Sequence, residues 1–335
     1  MDLELSADDK TILVAGGAGY VGSHACKLLA AEGYTPVVVD NLSTGHRWAV
    51  QWGEFEEGDI RNAEWLEQIF IKYQPIAVMH FAAMFDVAES VRKPDVYYNN
   101  NVIGTMTLLD VMQKCSVRHL IFSSTCSTYG SPVTIPLDES HPQQPINPYG
   151  MSKLIAERMM ADYAKASELK FVALRYFNAA GADPEALIGE AHEPESHLIP
   201  IALDVASGRR EKISIFGNDY DTPDGTCIRD YIHVDDLAQA HLLAMNHLIN
   251  GGESQFLNLG NEQGVSVRDV IASVKKVTAC PIEIEEVEKR PGDPDQLISD
   301  SSLARKILGW QPARSGIDVL IEDAWRWHQK HFKSN

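Results

Sequence analysis

The chain has 335 residues, 44% hydrophobic and 23% charged, a balance that fits two globular domains or one large domain with an added lobe. Its formal charge of −18 argues against general nucleic-acid binding and requires a locally basic pocket for any anionic ligand. No apolar run approaches the ~18–20 residues of a membrane span, and the five scattered cysteines (Cys26, Cys115, Cys126, Cys227, Cys280) form no CxxC pair, so no membrane, no disulfide framework and no metal are expected, and a reducing cytoplasm is.

The chain opens on the acidic MDLELSADDK, which lacks the apolar core of a secretory signal and reads as a solvated lead-in. TILVAGG then reads as a buried strand opening into a glycine turn, followed by the helical YVGSHACKLLAAEG. The runs TPVVVD, IAVMHFAA, HLIFSST and FVALRYFN repeat the strand theme, with helical NAEWLEQIFIKY and GTMTLLDVMQKC among them. This alternation predicts α/β architecture: a doubly wound parallel sheet over residues 1–180 with helices on both faces. After about residue 180 the rhythm changes. GADPEALIGEAHEPESH and GNDYDTPDG are loop-rich, and residues 181–335 read as a smaller mixed α/β substrate-binding lobe. The stretch 228–262 is expected to return to the first domain, and HFKSN to form a weakly ordered tail.

The first glycine cluster carries two overlapping patterns, Gly17-x-Gly19-x-x-Gly22 and Gly16-x-x-Gly19-x-x-Gly22, between a strand and a helix. Glycines there let the backbone turn sharply and approach a pyrophosphate, while the helix N-terminus presents free N–H groups to it. Asp40 ends the second strand, 23 residues after Gly17. A carboxylate there accepts hydrogen bonds from ribose hydroxyls and repels a 2′-phosphate, which favours NAD over NADP. Asp59, in GDI, either reaches the adenine or caps the helix that begins NAEW.

PYGMSK places Tyr149 and Lys153 four residues apart, on one face of any helix that spans residues 148–164. A phenol with an ordinary pKa near 10 needs acidifying to act as a base at neutrality. A lysine beside it and an oxidised nicotinamide would both favour the phenolate. Thr125 sits at the carboxyl end of HLIFSST, where open parallel sheets present ligand-binding residues, and offers a hydroxyl to the reacting oxygen.

GGAGYVGSH, Asp40-Asn41, HFAA, SST…YG, PYGMSK and RYFNAAGA together resemble the extended short-chain dehydrogenase/reductase family. IFGNDYDTPDGTCIRDYIHVDDLA followed by KRPGD resembles its UDP-glucose 4-epimerase branch, and the likeness runs from about Thr11 to His331. The resemblance implies tightly held NAD and reversible inversion of carbon 4 of a UDP-sugar through a 4-keto sugar. It implies Tyr149 as base, Lys153 as its tuning partner and Thr125 as the hydroxyl. It places cofactor contacts on Gly16, Gly19, Tyr20, Val21, Gly22, Asp40, Asn41, Asp59 and Ile60. Further cofactor contacts fall on Phe81, Ala82, Ala83, Asn100, Ser123, Tyr149, Lys153 and Tyr176. Substrate contacts fall on Thr125, Tyr149, Asn178, His197, Leu198, Phe216, Arg229, Arg290, Asp293 and Leu297. The two arginines supply the local positive charge that an acidic protein needs for a diphosphate. Arg229 is expected between two turn-like segments. His192 and His233 read as structural.

Two positions depart from the family pattern. Some members carry a cofactor-binding lysine where this chain has Phe85, and Leu297 is of intermediate size where room for an N-acetyl group is set. Sugar-nucleotide dehydratases and decarboxylases need a further acid/base near the catalytic hydroxyl, often a Glu two residues on, but Thr125 is followed by Cys126 and Ser127. Pentose and N-acetylhexosamine 4-epimerisation stay open as alternatives. A non-catalytic dinucleotide sensor would typically lose the tyrosine or the lysine, and this chain keeps both. The resemblance also implies a homodimer joined through helices at roughly 88–113 and 147–167.

Overall fold

A computed structural model describes residues 10–290 and 293–332. The lead-in before Lys10, the Pro291–Gly292 step of KRPGD and the end of the HFKSN tail lie outside the described residues. The chain forms two compact units. The first comprises the chain up to Gly130, Gln143–Arg175 and Ala238–Leu257; the second comprises Ser131–Pro142, Tyr176–Leu237 and the chain from Asn258 onward.

The first unit is built on a seven-stranded sheet. Its strands are β1 (Thr11–Ala15), β2 (Thr35–Asp40), β3 (Glu54–Glu57), β4 (Ala77–His80), β5 (His119–Thr125), β6 (Lys170–Tyr176) and β10 (Gln255–Leu259). They lie in the order β10-β6-β5-β4-β1-β2-β3. The β1–β2, β2–β3, β1–β4 and β4–β5 pairs are parallel. Ile12–Ala15, Val37–Val39 and Ala77–Met79 are buried throughout, because helices cover both faces of a parallel sheet and each residue therefore needs an apolar side chain. The order reverses direction at β1, whose neighbours are β2 and β4, which makes the carboxyl ends there a topological switch point.

The helices of this unit are α1 (Tyr20–Ala31), α2 (Ala63–Tyr73), α3 (Val87–Arg92), α4 (Pro94–Tyr97), α5 (Gly104–Lys114), α6 (Pro148–Ala166) and much of α8 (Val234–Ile249), with a π-helical turn at Tyr98–Ile103. Leu66 and Phe70 of α2, Leu108 and Met112 of α5, and Ala156 and Met160 of α6 share one core with Leu13, Val78, Leu120 and Phe122 of the strands.

The second unit holds α7 (Leu198–Ala206), α9 (Val267–Thr278), α10 (Ser302–Leu308) and α11 (Ile317–Phe332). Its strands are β7 (Asn178–Ala180), β8 (Ile213–Phe216), β9 (Ile228–His233), β11 (Gly264–Ser266), β12 (Ile284–Val287) and β13 (Gln296–Leu297). β9 pairs with β7, β11 and β13, and β8 pairs with β12. Those pairings explain why only Ala238–Leu257 of the expected returning stretch 228–262 groups with the first unit. β9 is committed to the second unit's sheet, whereas α8 leads into β10 on the edge of the first. Ser131–Pro142 also groups with the second unit, since Leu137 N–H donates to Ile298 O (2.9 Å) and Leu137 O accepts from Asp300 N–H (2.8 Å).

Candidate active site

In the first unit, the turn after β1 fits a dinucleotide pyrophosphate. Gly16 has φ +81°, and a Cβ there would fall 2.4 Å from Ala82 N. A Cβ at Gly22 would fall 2.3 Å from Gly16 O, so glycine lets α1 start directly against the turn. Gly19 is the N-cap of α1 and makes no side-chain cap there, so the positive end of the helix dipole faces the glycine turn. Phe81 and Ala82 N–H both donate to Ala15 O (2.7 and 3.0 Å), which fixes the Phe81–Ala83 backbone beside the glycine turn.

Asp40 is 9% exposed at the end of β2. Its Oδ2 accepts from Ala18 N–H (3.0 Å) and its Oδ1 from Leu42 N–H (2.8 Å). Burial pushes its carboxyl up, against those two hydrogen bonds. A carboxylate offers about four acceptor sites, so both oxygens keep a lone pair for a ribose hydroxyl. Asp59 does not cap the following helix: Asn62 is the N-cap of α2 and accepts from Trp65 N–H (3.2 Å). Asp59 instead receives Arg61 Nε (2.9 Å), Arg61 Nη2 (2.6 Å) and Asn41 Nδ2 (3.0 Å). Arg61 is the main reason its carboxyl is held down to about 2. Ile60 beside it is buried. Asn100 lies in the π-helical turn and donates to Asn101 Oδ1 (3.0 Å).

Tyr149 and Lys153 lie in the first two turns of α6. Asn147 caps that helix by accepting from Gly150 N–H (2.8 Å), and Pro148 follows at its first position. A Cβ at Gly150 would meet Ser127 O at 2.4 Å, so glycine brings the start of α6 against the turn that follows Thr125. Thr125 is 6% exposed and ends β5; its Oγ1 accepts from Ser127 N–H (3.1 Å), which leaves the hydroxyl proton to donate. Tyr149 is half-buried, and its carbonyl accepts from Ser152 Oγ (2.7 Å).

Lys153 is 3% exposed, and Nζ donates to Ser123 O (2.8 Å), 4.7 Å from the centre of the Phe122 ring. Burial pushes the ammonium down to about 7, with Glu157 opposing. Burial, together with Lys153, pushes His80 down to about 3, which keeps its imidazole neutral against Thr105 Oγ1 (3.0 Å).

Sequence reasoning missed the network behind this helix face. Glu157 lies four residues after Lys153 and accepts from Ser124 Oγ (2.6 Å) and Gln143 Nε2 (2.9 Å). It also takes Arg175 Nε (2.9 Å) and Nη2 (2.7 Å) in a two-pronged pair, and Arg175 Nη1 donates to Tyr129 Oη (3.0 Å). The repeat of four after Tyr149 and Lys153 was the available signal.

Of the second unit's predicted residues, Asn178 opens β7 and donates to Asp230 O (3.0 Å). Arg229 lies within β9 rather than between turns. Its guanidinium Nη1 donates to Ile228 O and Pro294 O (both 2.9 Å), and Leu297 of β13 is its strand partner. Arg290 lies over the Phe216 ring at 3.7 Å, and Asp293 N–H donates to Arg290 O (3.3 Å). His197 is the N-cap residue of α7 and Leu198 its first residue. His233 is structural: it is fully buried, and Nε2 lies 3.2 Å from Asp323 Oδ2.

A model of the NAD dependent epimerase/dehydratase family matches residues 12–260. A UDP-glucose 4-epimerase of Rhizobium meliloti (strain 1021) is 52% identical over 322 residues, covering 96% of this chain and 98% of that protein. The crystal structure of UDP-glucose 4-epimerase from Brucella ovis in complex with NAD is 51% identical, with a TM-score of 0.93 over 95% of this chain and 98% of that one. The Bifidobacterium longum enzyme in complex with NAD+ and UDP is 37% identical, with a TM-score of 0.91 over 96% and 98% of the two chains.

Proposed function

The chain belongs to the NAD dependent epimerase/dehydratase family, and on that premise we propose that it interconverts UDP-glucose and UDP-galactose by inverting sugar carbon 4. One observation carries the reading: a lysine buried by its surroundings lies one helical turn from Tyr149, within a unit whose glycine turn fits a dinucleotide. NAD, when bound, supplies a reversible hydride acceptor. Tyr149 takes the proton of the 4-hydroxyl as a phenolate and returns a proton when the alcohol re-forms on the other face. Lys153, protonated, stabilises the phenolate, and its bond to Ser123 O fixes where that charge sits. Thr125 donates its hydroxyl proton to the reacting oxygen. Asp40 holds the adenosine ribose, and the uncapped start of α1 holds the pyrophosphate.

Arg229 and Arg290 bind the UDP diphosphate, Phe216 lines the uracil site and Asp293 holds the uridine ribose. Asn178, His197, Leu198 and Leu297 complete the substrate contacts. The close likeness to UDP-glucose 4-epimerases favours a hexose over a pentose or an N-acetylated sugar. The protein acts as a homodimer through its first unit: Val87, Val91 and Val96 of α3 and α4, with Ile103 and Met106, are 38–63% exposed and apolar. Its compartment is the cytoplasm, consistent with the lack of any disulfide among the described residues. No helix of the described residues is long and apolar enough to cross a membrane.

Purified protein incubated with a panel of UDP-sugars and no added cofactor, followed by NMR, tests the reading. Inversion at carbon 4 of UDP-glucose is expected. Tyr149→Phe should abolish it while released NAD and circular dichroism stay unchanged, and full activity in that variant would sink the assignment. Light scattering on a sizing column tests the dimer, and a monomer at assay concentration refutes it.

A further inference from the structure

Adjoining the substrate contacts assigned to His197 and Leu198, one cluster on the second unit gathers four metal-ligating side chains from eight consecutive residues. Glu190 Oε1, His192 Nδ1, Glu195 Oε1 and His197 Nδ1 all lie within 4.8 Å of one another. His192 Nδ1 is 3.0 Å from Glu190 Oε1 and 3.8 Å from Glu195 Oε1, and His197 Nδ1 is 3.9 Å from Glu195 Oε1 and in close contact with Glu190 Oε1. A tetrahedron of ~2.0–2.1 Å bonds has edges of ~3.3–3.4 Å, which these separations bracket. We propose that Glu190, His192, Glu195 and His197 form a closed, four-coordinate zinc site that fastens the loop leading into α7.

Glu190 Oε1 faces both imidazoles, and Glu195 Oε1 stands 3.8 and 3.9 Å from the two Nδ1 atoms, a spacing that leaves room for an ion among the four. With neutral imidazoles the cluster carries two negative charges, which one divalent cation neutralises. Two imidazole nitrogens and two carboxylate oxygens suit zinc, and a complete set of four protein ligands marks a structural site rather than a catalytic one.

The surroundings hold the ligands in place. Glu195 Oε1 also accepts from Ser196 N–H (2.8 Å) and His197 N–H (2.9 Å), which orients the carboxylate. Trp327 Nε1 donates to Glu190 O (3.0 Å), and a Cβ at Gly189 would fall 2.4 Å from the same indole ring. Asp183 N–H donates to Ile188 O (3.1 Å), and Asp183 Oδ2 accepts from Leu187 N–H (3.0 Å), so the loop upstream is cross-braced. Three of the side chains are 6–13% exposed, and His197 is 48% exposed, which leaves one side open for the ion to enter.

The test uses the untagged full chain, stripped with a strong chelator, reloaded with zinc, dialysed and analysed for metal by mass spectrometry. One zinc per chain is expected, with a higher melting temperature in the loaded form. His192→Ala and Glu190→Gln should each bind zinc more than about tenfold more weakly, read with a chromophoric competitor. No retained zinc in the wild type, or wild-type affinity in both variants, overturns the proposal. Cobalt loading of the wild type decides the matter even where a variant fails to fold. Intense visible bands of four-coordinate cobalt support the site, and a six-coordinate spectrum or none overturns it.

Discussion

Replacing Glu157 by Gln removes the counter-charge from a pocket where its side chain is 1% exposed and that of Arg175 is 4% exposed. The guanidinium is then left in the interior with only Tyr129 Oη and a neutral amide as partners. Removing one partner of such a pair costs about 3–5 kcal/mol. At ~2–4 °C per kcal/mol for a domain of this size, the melting temperature should fall by about 6–20 °C. The substitution also acts on the chemistry. Burial already pushes Lys153 down to about 7 against the pull of Glu157, so losing that charge moves the ammonium further down. Activity that needs protonated Lys153 should then fade at a lower pH than in the wild type. Calorimetry and a pH profile of kcat/KM read the two effects separately. Glu157→Gln/Arg175→Met should melt higher than Glu157→Gln alone, because the orphaned charge is gone. A melting temperature within about 2 °C of wild type, with an unshifted pH profile, would refute the reasoning.

Asp40→Ala should weaken NAD about 10- to 150-fold, the worth of one charge-assisted hydrogen bond, and raise the relative affinity for NADP. Calorimetric titration of the stripped protein reads both, and an unchanged preference counts against Asp40 as the ribose acceptor. Arg290→Ala should weaken UDP by a similar factor with the fold intact; unchanged UDP affinity removes it from the diphosphate site. Burial would raise the Asp323 carboxyl, but His233, Arg314 and Arg326 outweigh it and hold it at about 2. That stability is fully present above the ordinary carboxylate range and is lost as pH falls from about 4 through about 2, so Asp323→Asn should flatten the acid limb of a chemical-unfolding curve. An unaltered acid limb would contradict it.

The first unit was legible because buried parallel strands must be apolar on both faces, so β1, β2, β4 and β5 stand out as runs. The glycine turn was legible for a related reason: Gly16 and Gly22 sit where any Cβ would strike backbone, so no other residue type fits. What local pattern does not encode is which sheet a strand joins. β9 reads as a strand followed by a helix, as a returning unit would, but its partners are three second-unit strands distant in sequence. Arg229 was expected near turns for the same reason. Asp59 was ambiguous because cap and ligand readings use the same carboxylate; Asn62, three residues later, took the cap. The Glu190–His197 quartet is carried in the sequence by spacing alone, which no single histidine shows.

The Glu157 network also bears on why Tyr149 is placed where it is. Residues at i, i+4 and i+8 of a helix fall within about 80° of one another, so Tyr149, Lys153 and Glu157 share one face of α6. Glu157 is tied to Ser124 and Lys153 to Ser123, the two residues that precede Thr125 on β5. Two bonds a turn apart fix both the rotation of α6 about its axis and its position along the strand. The phenol one turn further toward the N-terminus is then set relative to the threonine hydroxyl. On this reasoning a lost Ser124–Glu157 bond lowers kcat more than it raises KM. Ser124→Ala, which removes that bond and keeps the Glu157–Arg175 pair, separates positioning from charge.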